Sequence, residues 1–593
     1  MAAKGKYIAS QYVRIEVTVY AIGNDYDTAA AKILMGGVDT GAGGLIVPFK
    51  SNVGNFVTFR STPPGTARGA RLPNVSGFSY SHALNTSSAT CSVQIKARGK
   101  VAEALLDYIL PNYWVDVTVM GAGGVGGGSD KHHVFRGRVM GSGIDARAGT
   151  VDGGATEHVF TMQCRGFGYI LEQHQVFYDI VSEGVDMAAA YPHILISPDN
   201  KQTVKDTCKS LLDGFLIGGP RLTATAGAPP GPGGRSPWEM PSGMNTKKYA
   251  ASTVAGGRTY FRDTLLFLPD SDSRAIVNYP PRINSQSLSW LSPARGGESL
   301  WTILQRWNDN PLCDLYTDLV DRATGQFLVP GVNSDPETTT MALILRDKPF
   351  PTGTSPLRPG VPTTGMSVAR DSPWFNEKRI GQELGYLPTY TIQWSDMVGR
   401  SVARSDAARK NAFFIAPVLT AGLTGTLLDI QSPLWDLIDI QRHGFRPNYY
   451  VTPYLLDIYS ATTAALPPTP PGGGSSQDWI QLLNTYRERL RDYLCLGAEY
   501  LSGTISLGIG RPDIRVGGKL NIETGRAAVS ANSYERSEQY YIEAVSHHWA
   551  PVVGMRTELT VTRGLRGGNA ERIRALDAVR RPYTIGKKEA SSP

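Results

Sequence analysis

Alternation of apolar and polar residues is strongest near the two ends of the sequence. Over residues 13–20 every second residue is apolar, which predicts a strand with one buried face. Residues 540–563 alternate in the same way, with a break around Pro551 and Gly554. This break predicts two antiparallel strands joined by a turn. The chain is therefore expected to begin and end in β-sheet.

Similar short alternations recur between these ends. They predict strands at residues 56–59, 91–97, 114–119, 134–140, 159–164, 312–317, 341–346 and 389–394. Apolar residues at spacings of three and four predict helices at residues 101–110, 204–215, 300–307, 395–404, 475–494 and 571–581. Ser299 is placed to cap the third of these helices, and Ser475 with Asp478 forms a capping-box pattern.

Stretches rich in glycine and proline divide the chain. Residues 220–257 are predicted to be an exposed insertion, and six prolines between 349 and 373 predict a linker. We therefore predict a mainly β (α+β) chain. It has a first β domain with a packed helix (1–180), a middle α+β domain (181–375), a second β domain with an inserted linker and helix at 464–496 (376–570), and a basic tail (571–593). Two similar halves around an unlike middle favour an internal duplication.

Composition is compatible with several packed domains. The 593 residues are too many for one hydrophobic core, and they are 41% hydrophobic and 19% charged. The net charge of +7 is small for this length and gives no reason to expect nucleic-acid binding. Five scattered cysteines without a CxxC pair predict reduced, buried thiols of a protein folded in cytoplasm. No leader or membrane-spanning stretch is expected.

One motif resembles half of a dinucleotide-binding site. Residues 121–126 match G-x-G-x-x-G and follow a predicted strand. The fingerprint needs a helix next, whose N-terminus holds the pyrophosphate, whereas residues 134–139 predict another strand. A hairpin tip is therefore favoured over a nucleotide site.

The other candidate groups for chemistry are few. His132 and His133, and likewise His547 and His548, are neighbours on predicted strands, where adjacent side chains point to opposite faces. Each pair is expected to have one exposed and one packed ring rather than to bind a metal. Glu298 and Glu499 are arbitrary choices for a glycosidase carboxylate. The basic residues between 563 and 588 are expected to be solvated, although a phosphate or an acidic partner remains an alternative. No catalytic residue, metal ligand or cofactor is predicted.

Short motifs follow one another in a fixed order along the chain. They are FRGRV at 135–139, FTMQCRG at 160–166, GESLW at 297–301, LRDKPF at 345–350, LPTY at 387–390, residues 405–411, VSH at 545–547 and residues 559–564. In this order they resemble a known family, the baseplate hub proteins of contractile-tailed bacteriophages, which are related to the hub region of type VI secretion spikes.

The resemblance implies two tail-tube-like β-barrel domains in each chain. Three chains would then form a pseudo-hexameric ring that adapts the six-fold tail tube to the three-fold central spike. It further implies a virion protein assembled in host cytoplasm, with tube or tube-initiator protein, spike and baseplate wedge proteins as partners. DNA and a tape-measure protein would pass through its channel.

Two other functions stay open at this point. One is a tail-associated hydrolase of glycan or peptidoglycan, for which no motif stands out. The other is a carbohydrate-binding tail fibre or spike module, which would be expected to show short repeats. The structural hub, without enzymatic activity, is the favoured prediction.

Overall fold

The structure of the chain is a computed structural model. It describes residues 13–21, 49–51, 54–61, 73–98, 100–121, 130–147, 157–173, 175–176, 259–261, 265–269, 298–307, 313–348, 387–417, 434–452, 490–491, 494, 497–523, 538–551 and 553–566. The predicted helices at 204–215 and 571–581, the Gly/Pro-rich segments at 220–257, 349–373 and 464–474, and most of the helix after Ser475 lie outside these ranges.

The first part of the chain is almost entirely strand. Its strands are β1 Arg14–Tyr20, β2 Phe49–Ser51, β3 Gly54–Arg60, β4 Asn74–Ala83, β5 Thr90–Arg98, β6 Trp114–Met120, β7 Lys131–Arg147, β8 Glu157–Gly166 and β9 Gln175–Val176. Helix α1, Lys100–Tyr108, buries Leu105 and Tyr108 against this region as its apolar spacing predicted, and α2 is Tyr169–Gln173.

The middle part has strands β10 Thr259–Phe261, β11 Leu265–Pro269, β12 Glu298–Ser299, β13 Cys313–Asp321 and β14 Thr339–Asp347. Helix α3, Leu300–Trp307, begins where the Ser299 hydroxyl accepts a hydrogen bond of 3.2 Å from the Thr302 backbone N–H. The predicted cap is therefore confirmed. Strands β10, β11, β14 and β13 form a separate four-stranded sheet in that order.

The last part contains β15 Thr389–Gln393, β16 Met397–Ala403, β17 Ala412–Pro417, β18 Leu434–Trp435, β19 Pro447–Thr452, β20 Leu501–Leu507, β21 Lys519–Glu523, β22 Glu538–Ala550 and β23 Gly554–Arg566, with helix α4 at Leu437–His443. The helix predicted over 395–404 is wrong. A single 3-10 turn, Trp394–Asp396, leads into β16, because these residues pair along β20 instead of forming backbone bonds within one helix.

Fourteen strands from both ends of the chain form one sheet. Its order is β16-β20-β23-β22-β4-β5-β8-β7-β6-β1-β3-β2, and β21 joins β22 and β15 at a branch. The mainly β prediction is confirmed. Among the strands described, this sheet does not close on itself, so the two predicted barrels are not confirmed; one isolated parallel bridge pairs Ser61, after β3, with Val75 in β4.

The same five-stranded arrangement occurs twice in this sheet. When β4 to β8 are numbered one to five in chain order, they lie side by side in the sheet as first-second-fifth-fourth-third. Every neighbouring pair is antiparallel. Strands β16, β20, β21, β22 and β23 repeat that order and those directions. We refer to the two arrangements as the first set and the second set.

Two irregularities in the ladders also coincide between the two sets, whereas others, such as the bulge between Leu501 and Gly503, occur in one set only. The first ladder of each set has a bulge directly before a glycine, between Val75 and Gly77 in one and between Met397 and Gly399 in the other. The fourth strand of each has a bulge at matching positions, Val139 to Gly141 and Ile542 to Ala544. The ladders around these bulges give one consistent alignment, so residues of β4 and β7 near them have defined equivalents in β16 and β22.

Two hydrophobic cores lie along this sheet. The first core is built around Val17, Phe59, Val93, Leu105, Val117 and Phe160, and the second around Tyr390, Ile505, Leu520, Ile542 and Leu559. Trp549 and Met555, at the tip of the β22–β23 hairpin, pack into the first core although they belong to the second set. The cores are therefore joined by packing as well as by the sheet.

Candidate functional site: a buried ionic junction

Charged side chains accumulate where the two sets meet β13 and β14. Asp116 in β6 and Arg136 in β7 are directly opposite each other in the β6–β7 hairpin. The Arg136 guanidinium donates to both carboxylate oxygens of Asp116, at 2.8 and 3.1 Å, and the two residues are 3% and 1% exposed. Arg136 also donates to the backbone carbonyl of Pro336, at 2.8 Å. This bidentate pair ties the hairpin to the loop before β14.

His133 lies between the same carboxylate and the middle part. Its Nε2 is 3.2 Å from Asp116 Oδ1, and its Nδ1 is 2.5 Å from the Thr339 hydroxyl oxygen. An ionised carboxylate only accepts, so Nε2–H donates to Asp116. Nδ1 contacts the Thr339 hydroxyl, which also donates to the Asp335 carbonyl at 2.9 Å. Burial lowers the pKa of His133, while Arg136 and His133 hold the pKa of Asp116 well below its usual range against the opposing effect of burial.

A second ion pair connects the second set to β13. Arg515, in the segment before β21, donates to Asp318 at 2.6 Å and also to the backbone carbonyl of His133. Arg515 and Asp318 are 9% and 6% exposed. One guanidinium therefore contacts both the middle strand β13 and the first-set strand β7.

A third cluster surrounds Arg346 in β14, which is fully buried. Its guanidinium donates to the Gly517 carbonyl and the Tyr541 hydroxyl, each at 2.7 Å, and the Tyr541 hydroxyl donates to Asp314 at 2.5 Å. Gly517 has a φ of +73°, and a Cβ there would overlap the Arg346 guanidinium. Only glycine fits this position.

Aromatic and imidazole rings fill the remaining space. Tyr80 and His547 stack with ring centroids 5.5 Å apart and an interplanar angle of 13°. His82 lines a cavity of about 10 Å³ beside them, and its Nε2 has no partner in the described structure. Burial lowers the pKa of His82. A space of this size holds one water molecule at most, so it offers no room for a substrate.

We call this whole region the ionic junction: Asp116, His133, Arg136, Asp314, Asp318, Thr339, Arg346, Arg515 and Tyr541, with the adjoining rings of Tyr80, His82 and His547. Buried charges in contact with one another fix the relative positions of the strands that carry them, because leaving any one alone is costly. The contacts of the ionic junction hold together the first set, the second set and strands β13 and β14.

The sequence pattern did not reveal most of these residues. Asp116 and Thr118 alternate with valines in β6, a pattern typical of a solvent-facing side, yet six of the seven β6 residues are buried. The available signal was the opposite charge of Arg136, which a hairpin through residues 121–130 places across from Asp116.

The histidine pairs follow the prediction only in part. His547 is fully buried and His548 exposed, as expected. His132 and His133 are both buried, so the prediction of one exposed ring is wrong there; β7 is covered on one face by the core and on the other by the loop before β14. Within the ranges that the structure describes, no group of three or more potential ligands is arranged to hold a metal ion.

The other sequence candidates are scattered. Gly121 donates to the Asp130 carbonyl at 2.8 Å, and β6 and β7 flank this turn, which confirms a hairpin in place of a nucleotide-binding turn. Glu298 lies in β12 and Glu499 in a 3-10 turn before β20. Cys91, Cys164 and Cys313 are buried, as predicted; Cys208 and Cys495 are outside the described ranges. None of the described helices is long and apolar enough to cross a membrane.

Comparisons with known proteins give matches in structure but not in sequence. No protein-family model matches the chain, and no curated protein matches it either. The structural neighbours are phage tail proteins and a type VI secretion component. The tail protein from Neisseria meningitidis MC58 is 10% identical, with a TM-score of 0.38 over 84% of this chain and 94% of that one.

Two further structures have comparable values. The 43 kDa tail protein of prophage MuSo2 from Shewanella oneidensis is 11% identical, with a TM-score of 0.37 over 83% of this chain and 94% of its own. An E. coli component of the type VI secretion system, described as structurally similar to the T4 bacteriophage tail proteins gp27 and gp5, is 11% identical, with a TM-score of 0.31 over 83% and 75%.

Proposed function

We propose that this chain is a structural tail protein, a trimeric baseplate hub whose two tube-like β-barrel domains alternate around a channel. The observation that carries the proposal is the repeated strand order of the two sets, with bulges at equivalent positions. Two equivalent modules per chain allow three chains to present six similar units. Such a ring adapts a six-fold tube to a three-fold spike.

Closure of each module into a barrel is part of this proposal. The Ser61–Val75 bridge joins the residue after β3, which is next to the last strand in the order β4-β5-β8-β7-β6-β1-β3-β2, to β4, the first strand of that order. In the second set, β15 pairs with β21 and continues through one 3-10 turn into β16, which pairs with β20. Both sets thus curve back toward their first strand, as a barrel requires.

The ionic junction supports a mechanical role. Its charged groups point at one another, and the cavity beside them holds one water at most. We infer that the hub works without catalysis, in the virion tail, after assembly in host cytoplasm. Its partners would be the tube or tube initiator above, the spike below and the wedge proteins around it, with DNA and tape measure passing through the channel.

Light scattering on the purified full-length chain, followed by imaging of the particles, tests the proposal. We expect three chains in a ring with a central channel and six similar modules related by steps of about 60°, the spacing of six units around one axis. A monomer that clears peptidoglycan in a zymogram would instead identify a tail-associated hydrolase and would contradict the hub.

One observation favours the carbohydrate-binding alternative. Phe414, Trp435, Phe445 and Tyr449 form an aromatic cluster on β17–β19, with ring centroids 5.6 to 6.5 Å apart. Phe445 and Tyr449 are 50% and 68% exposed. An exposed aromatic surface of this kind marks a binding site for another molecule. A glycan array that gives signal with the native chain and none with Tyr449→Ala would support this function.

A further inference from the structure

The two sets are joined inside the chain by one ladder between β22 and β4. Residues 544–549 of β22 pair antiparallel with residues 78–83 of β4. Ser81 and Ser546 are opposite each other in it, with hydroxyl oxygens 3.1 Å apart. The part of β22 that extends beyond its ladder with β21 therefore pairs with β4, the first strand of the first set.

Each of these two strands has an equivalent in the other set. The aligned ladders match β7 with β22 and β16 with β4, so that Gly143 corresponds to Ser546 and Ala403 to Ser81. Beyond Val139, β7 pairs only with β8, and β16 pairs only with β20, among the strands that the structure describes. The strand edges of β22 and β4 pair with each other within the chain. The equivalent edges of β7 and β16 pair with no described strand.

Burial differs between the paired and the unpaired edges. In the internal ladder, Tyr80 and His547 are 5% and 0% exposed. Their equivalents Val402 and Ile144 are only partly buried, and Ala403 and Gly143 are exposed. The positions equivalent to Tyr80 and His547 are thus more open to solvent, whereas Ser81 is exposed like its equivalent Ala403.

Apolar side chains lie exposed beside both open edges. Val398 in β16 is 72% exposed. Leu106 and Leu110, in and just after α1, are 42% and 37% exposed, and the Ser142 hydroxyl in β7 donates to the carbonyl of the intervening Ile109 at 3.2 Å. A Cβ built on Gly141 or Gly143 meets no atom within 4 Å. Both edges therefore have space and apolar surface for a neighbour.

We propose that β7 of one copy pairs antiparallel with β16 of a second copy, in the register of the internal β22–β4 ladder. Gly143 then lies opposite Ala403, Ile144 opposite Val402 and Asp145 opposite Ser401. The inference rests on the proposed hub function, which supplies the second copy as the occupant. Because the two surfaces differ, the contact is head-to-tail, and it closes a ring when three copies alternate internal and intermolecular ladders.

Engineered cysteines test this register. The double variant Gly143→Cys/Ala403→Cys is oxidised with a small-molecule disulfide such as oxidised glutathione, and cross-links are mapped by peptide mass spectrometry, which separates them from the native thiols. We expect a disulfide that joins position 143 of one chain to position 403 of another, and covalent species of up to three chains. Mixing the two single variants should give a covalent dimer, which shows that the bond joins different molecules.

Two matched variants serve as controls. Ser81→Cys/Ser546→Cys places the same chemistry in the internal ladder and should cross-link within one chain. Gly143→Cys/Gly399→Cys shifts one partner by four residues, roughly 13 Å along the strand, and should not react. All substitutions are on exposed or partly exposed strand positions, so the fold should be retained.

The outcomes separate this inference from the hub function. A trimer by light scattering without the 143–403 bond, while the internal control reacts, overturns the pairing and leaves the hub intact. Equal reaction of the shifted pair overturns the register. A chain that remains monomeric and forms no intermolecular bond at any concentration contradicts both.

Discussion

Arg515 and Asp318 are 197 positions apart in sequence, yet their side chains meet at 2.6 Å with hardly any exposure to solvent. Arg515 belongs to the segment that enters β21, and Asp318 lies in β13. Asp318 and nearby tyrosines raise the pKa of Arg515, in opposition to burial. The guanidinium therefore stays charged, and the Asp318 carboxylate is the group that compensates this buried charge.

Removing that carboxylate should strongly destabilise the chain. In Asp318→Ala the Arg515 charge stays buried without its carboxylate, and we expect a loss of about 3–5 kcal/mol in the free energy of unfolding. Urea denaturation followed by circular dichroism measures this loss. Arg446→Ala, which removes a solvent-exposed partner of Asp406, is the control and should leave the transition unchanged.

Replacing both partners should restore much of the loss. Asp318→Leu/Arg515→Met removes the two charges together, and apolar replacements for a buried ion pair are often neutral or stabilising. The double variant should therefore unfold at a higher urea concentration than Asp318→Ala. If the two single losses simply add, the pair is not coupled as the geometry indicates.

Stability should decline as the pH falls below neutrality. Burial, assisted by Arg515, lowers the pKa of His547 to about 3, whereas an unfolded histidine titrates near ~6.5. Between these values the unfolded chain binds a proton that the folded chain does not, so the stabilisation present above pH ~6.5 is lost at about 1.4 kcal/mol per pH unit. His82, His132 and His133 shift in the same direction.

Urea titrations at several pH values between ~7.5 and ~4.5 check this dependence across the range where unfolded histidine titrates. His547→Phe should reduce the slope by roughly one proton, although it loses the 3.1 Å contact with the Thr557 hydroxyl. The carboxylates Asp116 and Asp513 have lowered pKa values, so their contribution disappears only below ~4. A flat profile between pH ~7 and ~5 would show that these histidines bind protons in the folded chain as readily as in the unfolded one, which contradicts the lowered pKa values.

Glycines in β7 should differ sharply in their tolerance of alanine. A Cβ on Gly137 would overlap the Arg165 carbonyl oxygen, whereas one on Gly141 meets nothing within 4 Å. We expect Gly137→Ala to lower the free energy of unfolding by about 1–3 kcal/mol or to abolish folding. Gly141→Ala, four residues along the same strand, is its matched control and should unfold like the native chain in a thermal scan.

The Tyr541 hydroxyl should contribute measurably to the third cluster. It accepts from Arg346 and donates to Asp314, and both contacts are buried. Tyr541→Phe leaves these charges one hydrogen bond short, at a cost of about 1–3 kcal/mol in the free energy of unfolding. Tyr449→Phe, at a 68% exposed position, provides the comparison and should have no effect on the urea midpoint.

Local patterns were sufficient for the elements with the clearest alternation, whereas strands such as β4, β20 and β21 were not predicted. The alternation over 13–20 became β1, the long alternation near the C-terminus became the β22–β23 hairpin, and Ser299 caps α3. The segment 395–404 shows where local pattern fails. Ser395 was predicted to cap a helix through residue 404. Backbone pairing with β20 makes residues 397–403 strand β16 instead.

The ionic junction illustrates a second limit. In sequence, Asp116 between valines is indistinguishable from a solvent-facing residue of a half-buried strand. Its burial depends on Pro336 and Thr339, which come from a loop more than two hundred residues later. Sequence periodicity reports the face that meets a strand's own core and carries no information on what covers the other face.

The sequence by itself determined the strands with clear alternation, the faces they turn to their own core and a mainly β fold, because period-two alternation is a local property of each segment. Tertiary structure alone decided that the two sets share one strand order, that β22 pairs with β4, and that Arg515 meets Asp318. Those relations depend on contacts between segments hundreds of residues apart. Backbone pairing and buried ion pairs form these contacts only when the whole chain folds, so no local pattern reports them.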